Sequence, residues 1–203
     1  EPLGKRLGVP VVIENISGAG GTIAGQKVVN AAPDGHTLFM ASGSEIVIAG
    51  LFNPAVRYKG ESDFTAIGAI GDVPLVLVAS PASGLKSMPD LLARARKDGS
   101  GLSYASSGVG TVLHVAGEML NHMAGIELQH VPYNGAARMY TDIIGGVLPM
   151  GFSVVSSAEN FINAGQMKVL GVTSLVESLA FWKDLLGFRA EVQEGAKAIQ
   201  YHE

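Results

Sequence analysis

The stretch Leu102–Gly117, LSYASSGVGTVLHVAG, most constrains what this chain can fold into. Its first residues, Leu102–Ala105, are a short apolar run that reads as a strand. Ser106, Ser107, Gly108, Gly110 and Thr111 then turn the chain. From Val112 to Met123, the residues Leu113, Ala116, Leu120 and Met123 recur at helical spacing on one face. A Ser/Gly-rich loop therefore joins a strand's carboxyl end to a helix's amino end. Unpaired N–H groups and a partial positive charge gather there, and they suit a carboxylate or phosphate. No strong nucleophile–base pair stands beside the loop, so it reads as a place to hold an anion rather than to break a bond.

The same alternation runs along the chain. Strands are expected at Pro10–Glu14, Thr37–Ala41, Phe64–Ile70, Leu75–Ala79, Leu128–Val131, Leu148–Val155 and Lys168–Thr173. Helices are expected at Thr22–Ala32, around Glu45–Leu51, and at Pro89–Lys97, where Ser87 and Asp90 form a cap. Further helices are expected at Ala136–Ile144, stopped by Gly145-Gly146, and at Ala158–Ala164. In the tail, Leu179–Leu186 reads as a helix, and Arg189–Gln193 and Ala198–Tyr201 as strands. This order implies an α/β fold with a mainly parallel sheet, whose ligands sit beyond the strands' carboxyl ends. Three polar loops fall at such ends: Ser17–Thr22, Ser42–Ser44 and Ser106–Thr111.

Composition narrows the partners. With 47% hydrophobic and 16% charged residues the chain is globular, and its net charge of −4 argues against a nucleic-acid surface. An anionic ligand would be held by local dipoles, since the overall field does not attract it. Mean hydropathy is +0.30, yet no uninterrupted apolar run is long enough to span a bilayer. Cysteine is absent, which excludes disulfides and thiolate metal sites. No signal-peptide pattern opens the sequence at Glu1.

Several motifs compete with plainer explanations. Gly18-Ala19-Gly20-Gly21 fails the dinucleotide fingerprint, because Ile23 occupies the third glycine's place; Gly108-Val109-Gly110 fails likewise at Leu113. Each glycine loop alone is explained by a tight turn, whereas several at equivalent strand ends favour anion binding. His114, Glu118 and His122 lie four apart and would share a helix face, as metal ligands or as a solvated stripe. No Gly-x-Ser-x-Gly elbow surrounds Ser42, Ser106 or Ser107, which argues against a hydrolase. Tyr133 precedes a helix start at which Gly135 and Ala136 leave backbone N–H groups uncovered.

Seven segments, in order, resemble the solute-binding proteins of tripartite tricarboxylate transporters. They are PVVIEN (Pro10–Asn15), GAGGTIAG (Gly18–Gly25), APDGHTL (Ala32–Leu38), DFTAIGAI (Asp63–Ile70), LSYASSGVGTVLHVAGEML (Leu102–Leu120), HVPYNGAA (His130–Ala137) and INAGQMKVLGVTS (Ile162–Ser174). The resemblance covers residues 3–174. It implies an α/β, two-lobed periplasmic-binding-protein type II-like fold that closes on a small organic carboxylate. It further implies a periplasmic location, membrane transporter subunits as partners, no cofactor and no enzymatic activity. Carried over residue by residue, it implies ligand contacts from Ser106, Ser107, Gly110, Thr111, His114, Tyr133, Gly135 and Ala136 in the second lobe. The first lobe would add Ser42 and Gly21. Ser153 falls where an acidic or polar contact is common in the family, and a neutral serine there favours a ligand without an ammonium group.

Two departures shape the expected organisation. The family's opening strand and Gly-Gly loop precede the residues present here, and its continuation back into the first lobe would follow Ser174. An incomplete first lobe (1–73), an α/β second lobe (74–174) and a divergent tail (175–203) are therefore expected. An open first lobe would be loosened, or covered in a homo-oligomer, because it exposes sheet edges and apolar surface. The tail, SLAFWKDLLGFRAEVQEG (Ser178–Gly195), resembles the start of a vicinal-oxygen-chelate, glyoxalase-like module. That leaves two alternatives to a binding protein: a fragment of a metal-dependent lyase or dioxygenase, and a recombined chain without activity.

Overall fold

The computed structural model describes residues 2–71, 73–98 and 101–172; the tail segments expected beyond Val172 lie outside them. Helix α1 (Pro2–Leu7) opens the chain. A 3-10 turn at Ala19–Gly21 leads into α2 (Thr22–Val29), and a π-helical turn at Ser44–Ile48 runs into α3 (Ala49–Phe52). The α/β region follows as β1 (Leu75–Ala79), α4 (Met88–Asp98), β2 (Ser103–Ser106), α5 (Val112–Ala124), β3 (Gln129–Pro132), α6 (Ala136–Ile144), β4 (Met150–Val154), α7 (Val155–Asn163) and β5 (Lys168–Val172).

The five strands form one sheet in the order β3-β2-β4-β1-β5. Strand β2 runs parallel to β3 and β4, whereas β1 is antiparallel to both β4 and β5. The sheet is thus mixed, not mainly parallel. Helix–strand alternation does not distinguish a crossover, which yields parallel strands, from an excursion that returns to the end it left. The link from β1 through α4 to β2 is the second kind. Because β2, β3 and β4 share one direction, their carboxyl ends share one sheet edge, and α5, α6 and α7 all begin there.

Both faces of the central strands are covered, so β1 reads as a continuous apolar run and β4 is buried along nearly all its length, Ser153 included. Leu77, Leu91, Tyr104, Met150 and Phe152 pack on one face beneath α4 and α5. Val76, Val78, Met139, Ile143 and Ala158 pack on the other beneath α6 and α7. The expected cap of α4 forms: Asp90 N–H donates to Ser87 Oγ at 3.4 Å, and Lys86 N–H donates to Asp90 Oδ2 at 2.9 Å. Helix α6 takes the bounds expected from its flanking glycines. On α5, Leu113, Ala116 and Leu120 pack inward as expected, but Met123 in the last turn is exposed.

Before β1 the sequence misleads. Residues 10–14, 37–41 and 64–70 form no strand. A strand needs a neighbour to take its N–H and C=O groups, and none of these segments has one among the described residues. Their apolar side chains lie open: Val12, Ile13, Met40, Ile67 and Ile70 are each at least 75% exposed.

Gly117 of α5 packs directly against Tyr104 of β2. A methyl group there would overlap the fully buried ring of Tyr104. Alanine is the better helix former by about 1 kcal/mol, but overpacking costs about 1–3 kcal/mol. Gly117→Ala is therefore expected to lower stability despite its propensity, as measured by urea unfolding; an unchanged or raised midpoint contradicts the packing described.

Candidate functional site

A cleft of about 760 Å³ opens where the helices begin. Residues 16–22, 42–53, 107–113, 132–140 and 153–157 contribute to its walls. Four helices of eight or more residues start at it: α2 at Gly21 and Thr22, α5 at Thr111 to Leu113, α6 at Gly135 and Ala136, and α7 at Val154. A helix's first-turn N–H groups have no partner within the helix. The N-cap residues of α2, α6 and α7 (Gly21, Gly135 and Val154) make no capping side-chain hydrogen bond. In α7, one such group is taken by backbone, Val155 N–H donating to Pro74 O at 3.1 Å.

Helix α5 is closed differently. Thr111 Oγ1 accepts from His114 N–H at 3.3 Å and donates to Gly108 O at 2.8 Å. Val112 N–H donates to Ser44 Oγ at 3.0 Å, a bond that ties the π-helical turn to the start of α5. The loop before α2 is strained. Gly18, Ala19, Gly20 and Gly21 all have positive φ, and at φ 46° Ala19 is the one non-glycine in that region among the described residues. Left-handed backbone at a non-glycine residue costs energy and gathers at binding sites.

Nine of the eleven residues expected from the sequence line this cleft: Gly21, Ser42, Ser107, Gly110, Thr111, Tyr133, Gly135, Ala136 and Ser153. Several have already spent their polar atoms. Tyr133 OH donates to Asp142 Oδ2 at 2.6 Å, and burial together with that bond pushes the phenol up to about 12. Ser153 Oγ lies 2.5 Å from Tyr140 OH and is fully buried. Their groups shape the wall, and the helix starts add backbone donors to it.

Ser106 and His114 do not line the cleft but sit behind it. Ser106 Oγ accepts from Gly108 N–H at 3.2 Å and lies 2.7 Å from His130 Nε2. His114 Nδ1 accepts from Gly110 N–H at 3.2 Å, which places its proton on Nε2, 4.0 Å from Glu118 Oε1. The rings of His114 and His130 stack with centroids 4.1 Å apart, and Tyr104 also stacks on His130 at 5.0 Å. Tyr104 OH donates to Glu118 Oε1 at 2.7 Å. Two imidazoles thus brace the Ser106–Thr111 turn from below. Burial pushes His130 down to about 4, helped by His114, and lowers His114 too, with Glu118 opposing. The Ser106–His130 pair resembles a nucleophile and base, but Ser106 is fully buried, so no substrate reaches its oxygen.

Sequence alone missed His130, Ser44 and Glu45. His130 stands opposite Tyr104 in the β2–β3 register, which needs the pairing to be known. Glu45 had a signal, the spacing S-x-x-E from Ser42. Ser44 N–H donates to Ser42 Oγ, and Ser42 N–H donates to Glu45 Oε2 at 2.7 Å, completing a capping box. As for a metal, His122 is exposed, and no group of three His, Asp or Glu among the described residues is placed to hold one.

An α/β sheet whose helices start together around one cleft is the architecture of a solute-binding receptor. The chain belongs to the tripartite tricarboxylate transporter family receptor family, which matches residues 1–186. That match runs beyond Ser174, into the segment set apart as a divergent tail. Among curated relatives, it is 36% identical over 173 residues to the "UPF0065 protein in tcbD-tcbE intergenic region" of Pseudomonas sp. (strain P51), covering 85% of this chain and 51% of that one. The chain thus spans about half the length of the curated relatives it matches. Two solved structures share its fold at a TM-score of 0.80 over 85% of this chain and 58% of theirs. One is a periplasmic transporter, 30% identical, and the other is R. palustris Rpa4515 with adipate, 29% identical.

The buried imidazoles set a pH dependence. Each binds fewer protons folded than unfolded once the pH is below the ordinary value of 6.5. Their contribution is complete above that value and is lost as pH falls toward about 4. The Tm is expected to drop between pH 7 and 4.5, and to drop less in His130→Gln; a flat wild-type profile contradicts this.

Proposed function

We propose that the chain captures a small organic carboxylate in the cleft where α2, α5, α6 and α7 begin, in the periplasm, for the membrane subunits of a tripartite tricarboxylate-type transporter. The observation that carries this is the meeting of four helix N-termini at one cleft, with no cationic side chain among its lining residues. An anion there is held by N–H groups and helix dipoles rather than by ion pairs. Family membership and the adipate bound by a structural relative support the same ligand class. So does the burial of Ser106, which leaves the site suited to binding and not to acyl transfer.

Binding to the folded state alone raises the unfolding midpoint. A carboxylate at one hundred times its Kd is expected to stabilise the chain by about 2.7 kcal/mol, a Tm rise of about 5–10 °C. Ala136→Asp would place a carboxylate at the first position of α6, which suits the helix but competes for its N–H groups. The variant is expected to keep or raise the ligand-free Tm and to lose most of the ligand-induced rise. A rise retained in full would show that α6 does not hold the anion.

A further inference from the structure

Glu45 is the one charged side chain among the residues lining the cleft. Its two oxygens have different surroundings. Oε2 accepts from both Ser42 N–H and Ser42 Oγ, each at 2.7 Å, and so serves the capping box. Oε1 accepts no hydrogen bond among the described residues. It lies against Gly21, where a Cβ would come within 2.5 Å of it, so the missing side chain at Gly21 is what admits the carboxylate to this wall. The backbone also favours glycine at Gly21, with φ 88°.

The cleft is therefore polarised. The helix starts offer N–H donors and positive partial charge. Beside the start of α2 stands a negative acceptor with an oxygen to spare. An acid binding at the helix starts meets that acceptor with the rest of its body. A second carboxylate there would face the like charge of the half-buried Glu45 at close range. An ammonium or hydroxyl group there would donate to Oε1 and satisfy it.

We propose that Glu45 selects the ligand's far end: the site prefers a monocarboxylate that carries an ammonium or hydroxyl donor over a dicarboxylate of the same length. This rests on the carboxylate-binding reading above and adds the chemistry of the other half of the ligand. It reverses the expectation drawn from Ser153, whose hydroxyl is turned to Tyr140, since the acid that recognises a donor stands on a different wall.

The test is calorimetric titration of the intact chain and of Glu45→Gln with acids paired by length: 4-aminobutanoate and succinate, 6-aminohexanoate and adipate, with hexanoate as the form lacking either end. Glutamine still accepts from Ser42 N–H, so the capping box and the fold are retained. In the wild type, the better amino acid is expected to bind about tenfold or more tighter than its matched dicarboxylate. Glu45→Gln is expected to erase that ratio, weakening the amino acid and tightening the diacid. Dicarboxylates that bind as well as amino acids, with a ratio unchanged in Glu45→Gln, would overturn the proposal and leave carboxylate binding standing. Failure of every acid to bind would overturn both.

Discussion

An α-helix leaves the N–H groups of its first turn without partners inside the helix, and much of this molecule is arranged around four such ends. Left buried and unpaired, they would be costly; turned toward one cleft, they form a site for negative charge. The sheet arranges this. Strands β2, β3 and β4 point the same way, so α5, α6 and α7 start at the same edge. Strand β1 points the other way, and α4, which follows it, closes its own start with Ser87 and Asp90 and takes no part in the cleft.

The four ends are not equivalent. The start of α5 is held on two sides, by Thr111 and by Ser44 from the other wall, and its loop rests on the stacked rings of His114 and His130. Because His114 Nδ1 must stay unprotonated to accept from Gly110, the shape of this turn is coupled to pH. The start of α6 is a bare glycine cap, whereas at α2 Thr22 N–H already donates to Ala19 O and the Glu45 carboxylate stands against Gly21. A rigid end and an open end in one cleft divide the work. One keeps the geometry, while the other supplies donors that need no rearrangement when an anion arrives.

Local signals in the sequence resolved much of the second half of the chain. Ala136–Ile144 was readable to the residue because glycines bracket it, and Ser87 with Asp90 marked α4. The Ser/Gly loops were readable as cleft walls, because polar small residues between a strand and a helix have few other uses. What was not readable depends on partners. The direction of β1 is a property of the whole sheet. Residues 10–14, 37–41 and 64–70 have the composition of strands but have no neighbour to pair with among the described residues. Ser106 and His114 look like ligand contacts in sequence, and only packing shows that they support the loop from behind. Glu45 was marked by its spacing from Ser42, but its place in the cleft follows from Gly21 across the wall.

The most direct measurement is a titration of backbone amide ¹H–¹⁵N shifts with acetate, the smallest carboxylate that helix ends would hold. The expected result is a set of shifts in the first turns of α2, α5, α6 and α7 that follow one saturation curve, because one anion feels several ends. Shifts scattered over surface lysines and arginines, or separate curves for each helix, would contradict a single cleft built from helix N-termini.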